Sequence, residues 1–135
     1  MRVVVDASII LAGVLEETDA RIEPTGRHIR EEGAFAPALW WFEMRNGLIV
    51  NERRKRVTEA MTAQFLSEIS SLPISIDRSP DEVVIITLAR RHRLTVYDAA
   101  YLELALREGV PLATLDGALA AAARAEGVPV LSAEA

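Results

Sequence analysis

Cysteine is missing from all 135 residues. Its absence rules out disulfides, thiolate zinc sites and a cysteine nucleophile, and leaves oxygen ligands and hydroxyls for any chemistry. Histidine occurs twice. His28 lies among charged residues and His92 among arginines, so neither has the spacing of a metal ligand. A Ser-His-Asp site finds no nucleophile elbow. Neither G-x-x-x-x-G-K-[ST] nor G-x-G-x-x-G occurs, so a nucleotide-binding reading lacks its phosphate cradle. Long apolar runs are missing too: Ala7 to Leu15 and Ala34 to Phe42, the longest uncharged stretches, reach about half the length of a membrane-spanning helix. The opening MRVVVD meets an aspartate after three valines, which is unlike a secretory signal, and a cytoplasmic location is expected.

Positive charge is also scarce. Fifteen Lys plus Arg stand against twenty Asp plus Glu, a formal charge of -5, with a pI near 5.1. A broad basic surface for nucleic acid is therefore not expected. Divalent cations held by clustered acids would reverse the local field. The single lysine, Lys55, falls in the run Arg53, Arg54, Lys55, Arg56, whose ordinary reading is a solvated helix end.

Half of the residues are hydrophobic, enough for one core, and one domain over 1–135 is expected. VVV at 3 to 5 reads as a strand buried on both faces. Similar runs at AFAP (34 to 37), PISI (73 to 76), PLAT (111 to 114) and VPVL (128 to 131) bring the count to five. Helical sequence separates them. Val57, Met61, Phe65, Leu66, Ile69 and Leu72 form an amphipathic stripe. Ala38 to Val50 reads as a helix, as does Val96 to Glu108, stopped by Gly109. In S-P-D-E, Ser79 is expected as an N-cap with Pro80 first in the helix and Glu82 closing a capping box. Asp19 to Glu32 is read as helical despite Pro24 and Gly26. Alternating strands and helices argue for an α/β fold whose parallel sheet is covered on both faces, with ligands beyond the carboxyl ends of the strands.

Two carboxylates fall at that edge. Asp6 follows the first strand and Asp116 follows PLATL; taken singly, each could simply cap the next helix. If their strands are neighbours, the two like charges need a cation or a proton between them. Asp98, three residues after Thr95, fits a capping box or a ligand equally well. Glu43, inside PALWWFEMRN, faces solvent by default and needs a partner if buried. The tryptophans beside it read as core or interface filling.

Taken together, VVVDASIIL, PALWWFEMRN, LTVYDAAYLELA and PLATLDGALAAAA, in this order, resemble the PIN-domain nucleases, and within them the VapC-type toxins of type II toxin-antitoxin pairs. The resemblance implies a three-layer α/β/α fold with a five-stranded parallel sheet in order 3-2-1-4-5. It implies Asp6 and Asp98 as the main metal ligands, Asp116 binding directly or through water, and Glu43 completing the acidic set. Ser8, Asn46 and Thr114 would orient carboxylates or water. Oxygen ligands alone select Mg2+ or Mn2+. The implied activity is hydrolysis of RNA phosphodiester bonds, with tRNA or rRNA as substrate, a homodimeric assembly and a cognate antitoxin as partner. The rival readings are a catalytically silent PIN-like interaction module and an aspartate-based phosphatase. The latter wants a second acid where Ser8 stands.

Overall fold

The computed structural model describes residues 1–15 and 17–131. The chain alternates between strand and helix: β1 Val3–Val5, α1 Ala7–Val14, α2 Ile22–Glu32, β2 Ala34–Pro37, α3 Leu39–Arg53, α4 Glu59–Ser70, β3 Ile74–Asp77, α5 Glu82–His92, α6 Val96–Glu108, β4 Leu112–Ala113 and α7 Gly117–Ala125. The strands form one parallel sheet in the order β3-β2-β1-β4. Helices cover both of its faces in three layers.

β1 lies at the centre, and all three of its valines are fully buried. Unbroken β-branched sequence suits such a position because neither face of the strand meets water. β2, at AFAP, is nearly as deeply buried, whereas β3 is only half-covered at the sheet's edge.

The fifth strand is not there as expected. VPVL contributes one parallel bridge, Val130 opposite Leu112, on the outer side of β4. Two hydrogen bonds hold it, Leu112 N–H to Pro129 O and Leu131 N–H to Leu112 O, each 2.9 Å. Pro129 has no N–H to give to a ladder, and β4 is itself only two residues long. The segment therefore continues the order 3-2-1-4-5 without forming a strand.

Helix limits follow local chemistry. α2 accommodates Pro24 in its first turn, where the missing N–H has no intrahelical partner in any case. α6 runs over Val96–Glu108 and ends at Gly109, which is left-handed at φ 65. α5 starts two residues later than S-P-D-E suggests. Asp81, not Ser79, is the cap, and its carboxylate accepts from Val84 N–H at 3.1 Å. The Asp81 N–H is in turn held by Glu103 Oε1 at 3.1 Å, and this contact between elements fixes where α5 begins.

Candidate functional site

β1 and β4 are neighbours, so the residues that leave their carboxyl ends face one crevice, at the point where the strand order reverses. A cleft of about 330 Å³ opens there, lined by Asp6, Ser8, Glu43, Asn46, Asp98 and Asp116 together with Ala7, Leu11 and Gly47. Four acids and two of the three polar neighbours singled out in the sequence share this wall. The third, Thr114, lies behind it, fully buried.

Asp6 is the most enclosed of the four acids, 6% exposed. It occupies the N-cap position of α1, yet its carboxylate makes no cap bond. Its Oδ2 instead receives two hydroxyls, Ser8 Oγ at 2.9 Å and Thr114 Oγ1 at 2.6 Å. Both hydroxyls are already acceptors, from Leu115 N–H at 3.2 Å and from Asp116 N–H at 3.0 Å. Their protons are thereby directed at the carboxylate. One Asp6 oxygen is spoken for, and the other remains for the cleft.

Asp116 does cap its helix: Oδ1 accepts from Leu119 N–H at 2.9 Å. Capping and facing the cleft are compatible, since a carboxylate has two oxygens. At Asp98 one half of the expected capping box is present. The Thr95 hydroxyl accepts from the Asp98 N–H at 3.1 Å, and the Asp98 carboxylate is on the cleft wall. Burial pushes its pKa up, the charges of Asp116 and Asp6 push it further, and the Thr95 hydroxyl acts against them.

Glu43 arrives from α3, whose buried face is Trp40, Met44, Leu48 and Asn51. Gly47 lets that helix approach α1 closely, since a Cβ there would stand 2.5 Å from Leu11 Cδ1. Glu43 is half-buried, and its Oε1 accepts from the Tyr101 hydroxyl at 2.5 Å. Its pKa is raised first by burial and then by Asp6 and Asp98, with the Tyr101 bond opposing the rise. The solvent-facing reading of Glu43 does not hold. Tyr101, on α6 and fully buried, was not singled out in the sequence. Its spacing offered a signal, because three residues after Asp98 puts it on the same side of one helix. Burial and the Glu43 carboxylate drive its hydroxyl far above the ordinary tyrosine range, so it is a donor at any working pH.

Three helix N-termini, those of α1, α6 and α7, point into the crevice through Asp6, Asp98 and Asp116. Their partial positive charge favours anions there. The donor set is all oxygen, with no histidine on the wall, which is the chemistry that hard divalent cations prefer. Among the described residues no three acids or histidines are drawn in tightly enough to cage an ion. The set fits a divalent cation by its chemistry and its convergence.

Of the two tryptophans, Trp40 fills the core, as the sequence suggests. Trp41 is 46% exposed, edge-on to Phe42 and under the Arg45 guanidinium at 3.7 Å. A larger hollow of about 520 Å³ opens between α1, α2 and α4, lined mainly by Ile9, Val14, Ile22, Phe65 and Leu72. Glu23, Arg30 and Glu68 are also on its wall, but none of the four acids Asp6, Glu43, Asp98 and Asp116 is, and those converge on the smaller cleft.

The PIN domain family model matches residues 3–127. Among solved structures, PAE2754 from Pyrobaculum aerophilum is 25% identical, with 96% of this chain and 89% of that one covered and a TM-score of 0.75. FitAcB from Neisseria gonorrhoeae is 17% identical over 98% of each chain, with a TM-score of 0.62, a likeness of fold alone. No curated protein matches the chain. With the family model spanning all but the two ends, the chain belongs to the PIN domain family.

Proposed function

We propose that this protein, a single PIN domain over 1–135, is a Mg2+- or Mn2+-dependent ribonuclease of the VapC type, the toxin of a type II toxin-antitoxin pair. The observation that carries this reading is the convergence of Asp6, Glu43, Asp98 and Asp116, from four separate elements, on one cleft at the carboxyl edge of the parallel sheet. PIN domains are generally nucleases and generally need a divalent metal. RNA as substrate, tRNA or rRNA in particular, a cognate antitoxin and a homodimer rest on the sequence resemblance. Among the described residues no helix is long and apolar enough to cross a membrane.

Asp6 and Asp98 would be the principal ligands of the cation, with Asp116 and Glu43 completing its surroundings. When bound, a divalent cation activates water and offsets charge developing on a phosphoryl group. The chain's own residues prepare that chemistry. Ser8 and Thr114 lock the Asp6 carboxylate in one orientation, so little ordering remains at the moment of binding. Leu119 N–H does the same for Asp116. The helix N-termini of α1, α6 and α7 favour a phosphodiester anion beside the acids, and Asn46, exposed on the wall, offers an amide to a phosphate or to water.

The decisive experiment is cleavage of RNA by purified protein with added Mg2+ or Mn2+, with and without EDTA. Cleavage that depends on metal and disappears in chelator is the expected outcome. Cleavage that persists in EDTA, once contaminating nuclease is excluded, overturns the metal mechanism. Hydrolysis of small phosphomonoesters alone would favour the phosphatase, and no turnover of either substrate would favour the silent module.

A further inference from the structure

From the Tyr101–Glu43 contact we infer that Tyr101 is a positioning residue for the acidic cleft: its hydroxyl commits one oxygen of Glu43 and leaves the other to face a bound divalent cation. The inference rests on the metal reading above and adds a residue to it.

Glu43 and Tyr101 are 58 positions apart in sequence and come from α3 and α6. The tyrosine ring is fully buried, its neighbours Ala100 and Leu102 are in the core, and α6 packs against β1, β2 and β4. The ring is thus held against the central sheet, while Glu43 is a long, half-buried side chain on the cleft wall. A glutamate has three rotatable bonds, and left alone beside Asp6 and Asp98 it would swing outward to escape their charge. The Tyr101 hydroxyl opposes that motion from a fixed point. Its geometry also sets the direction of the bond, because a phenol has one proton and Glu43 Oε1 is its partner. Ser8 and Thr114 do for Asp6 what Tyr101 does for Glu43, so an anchored hydroxyl behind a cleft carboxylate recurs on both walls.

The test is a double-mutant cycle read by Mn2+ binding, using calorimetry on the full chain without RNA. Wild type, Tyr101→Phe, Glu43→Gln and the double variant are compared at one pH. Loss of an orienting partner behind a metal ligand typically costs about 10-fold or more in affinity, and that is the loss expected for Tyr101→Phe. In the Glu43→Gln background the same change should cost almost nothing more, since its route of action has gone. A Tyr101→Phe protein that binds Mn2+ like wild type overturns the positioning role, and so does an equal loss in both backgrounds, which marks a merely structural effect. Wild type that binds no Mn2+ overturns the metal reading and this inference with it. If the phenylalanine variant does not fold, the ring-carbon NMR signal of Tyr101 in wild type decides. Only two tyrosines are present, and Tyr97→Phe assigns them. Mg2+ should shift the Tyr101 signal, and a signal unmoved at saturating Mg2+ overturns the inference.

Discussion

At the scale of single residues, one amino acid is put to three uses. Asp6, Asp98 and Asp116 each stand in the first turn of a helix or at its cap, and sequence gives each a capping reading, Asp6 and Asp116 as N-caps and Asp98 within a capping box. In the structure only Asp116 caps with its carboxylate, Asp6 is bound by two hydroxyls, and Asp98 offers its N–H while its carboxylate meets the cleft. For Asp6 this was not legible, because it is decided by Thr114 and by Ser8, which bond to Asp6 and Leu115 from positions more than a hundred residues away. Asp98 gives the sharpest test. Its raised pKa means that the folded state loses stability as pH rises through it, so at neutral pH the ionised group opposes folding in metal-free protein. Asp98→Asn should therefore melt higher than wild type in EDTA. Asp98 keeps one side in solvent, and screening holds the gain to about 1 kcal/mol or less, a rise of a few degrees at most. Added Mg2+ should stabilise wild type more than the variant. A slightly lower melting point in both buffers would return Asp98 to a capping role.

At the scale of elements, four of the five expected strands and most of the helices could be read from the sequence pattern, because strands buried on both faces and helices with one apolar stripe leave different patterns; VPVL forms only a bridge, and α1 was not singled out. The start of α5 could not be read in this way. It depends on Glu103, which was not singled out in the sequence and is only 2% exposed. Glu103 holds Asp81 N–H, and Arg107 bridges from it to both oxygens of Asp77 at the end of β3. One arginine thus ties β3, α5 and α6. Arg107→Ala leaves a buried carboxylate without its cation and should cost roughly 3 kcal/mol, the low end for such a loss because Arg107 itself is partly exposed. Urea unfolding measures this directly, and a loss below about 1 kcal/mol would show the tie to be unimportant. The acid limb of stability should change as well. Arg107 holds the Asp77 pKa below its ordinary 3.8, so this contribution is present above about that pH and is lost as pH falls through the lowered value. The variant should lack that part of the acid loss.

At the scale of the whole molecule, the proposed ribonuclease reading requires a chain with a charge of -5 to bring RNA to an acidic cleft. A bound cation would reverse the field locally but would not hold a strand at a distance. α3 connects the two problems: Glu43 and Asn46 are on its cleft end, and ten residues after Glu43, about 15 Å along the axis, it ends in the exposed run Arg53, Arg54, Lys55, Arg56. Sequence alone favours a solvated helix end for that run. Its place at the end of the helix that carries Glu43 changes the weighting, because the run starts within a few nucleotides' span of the cleft. On the proposed ribonuclease reading, the run takes at least one phosphate of the bound strand. Affinity for a single-stranded RNA should then fall with salt only gently, since few phosphates are neutralised, with a slope of about -0.7 in log K per log salt for each phosphate contacted. Replacing the four cations by glutamine should flatten that slope by roughly one contact or more and weaken binding across all sequences alike, while kcat at saturating RNA stays close to wild type. An unchanged slope in the variant would leave the run as a solvated end and move the search for the RNA grip to Arg45, stacked on Trp41 beside Glu43.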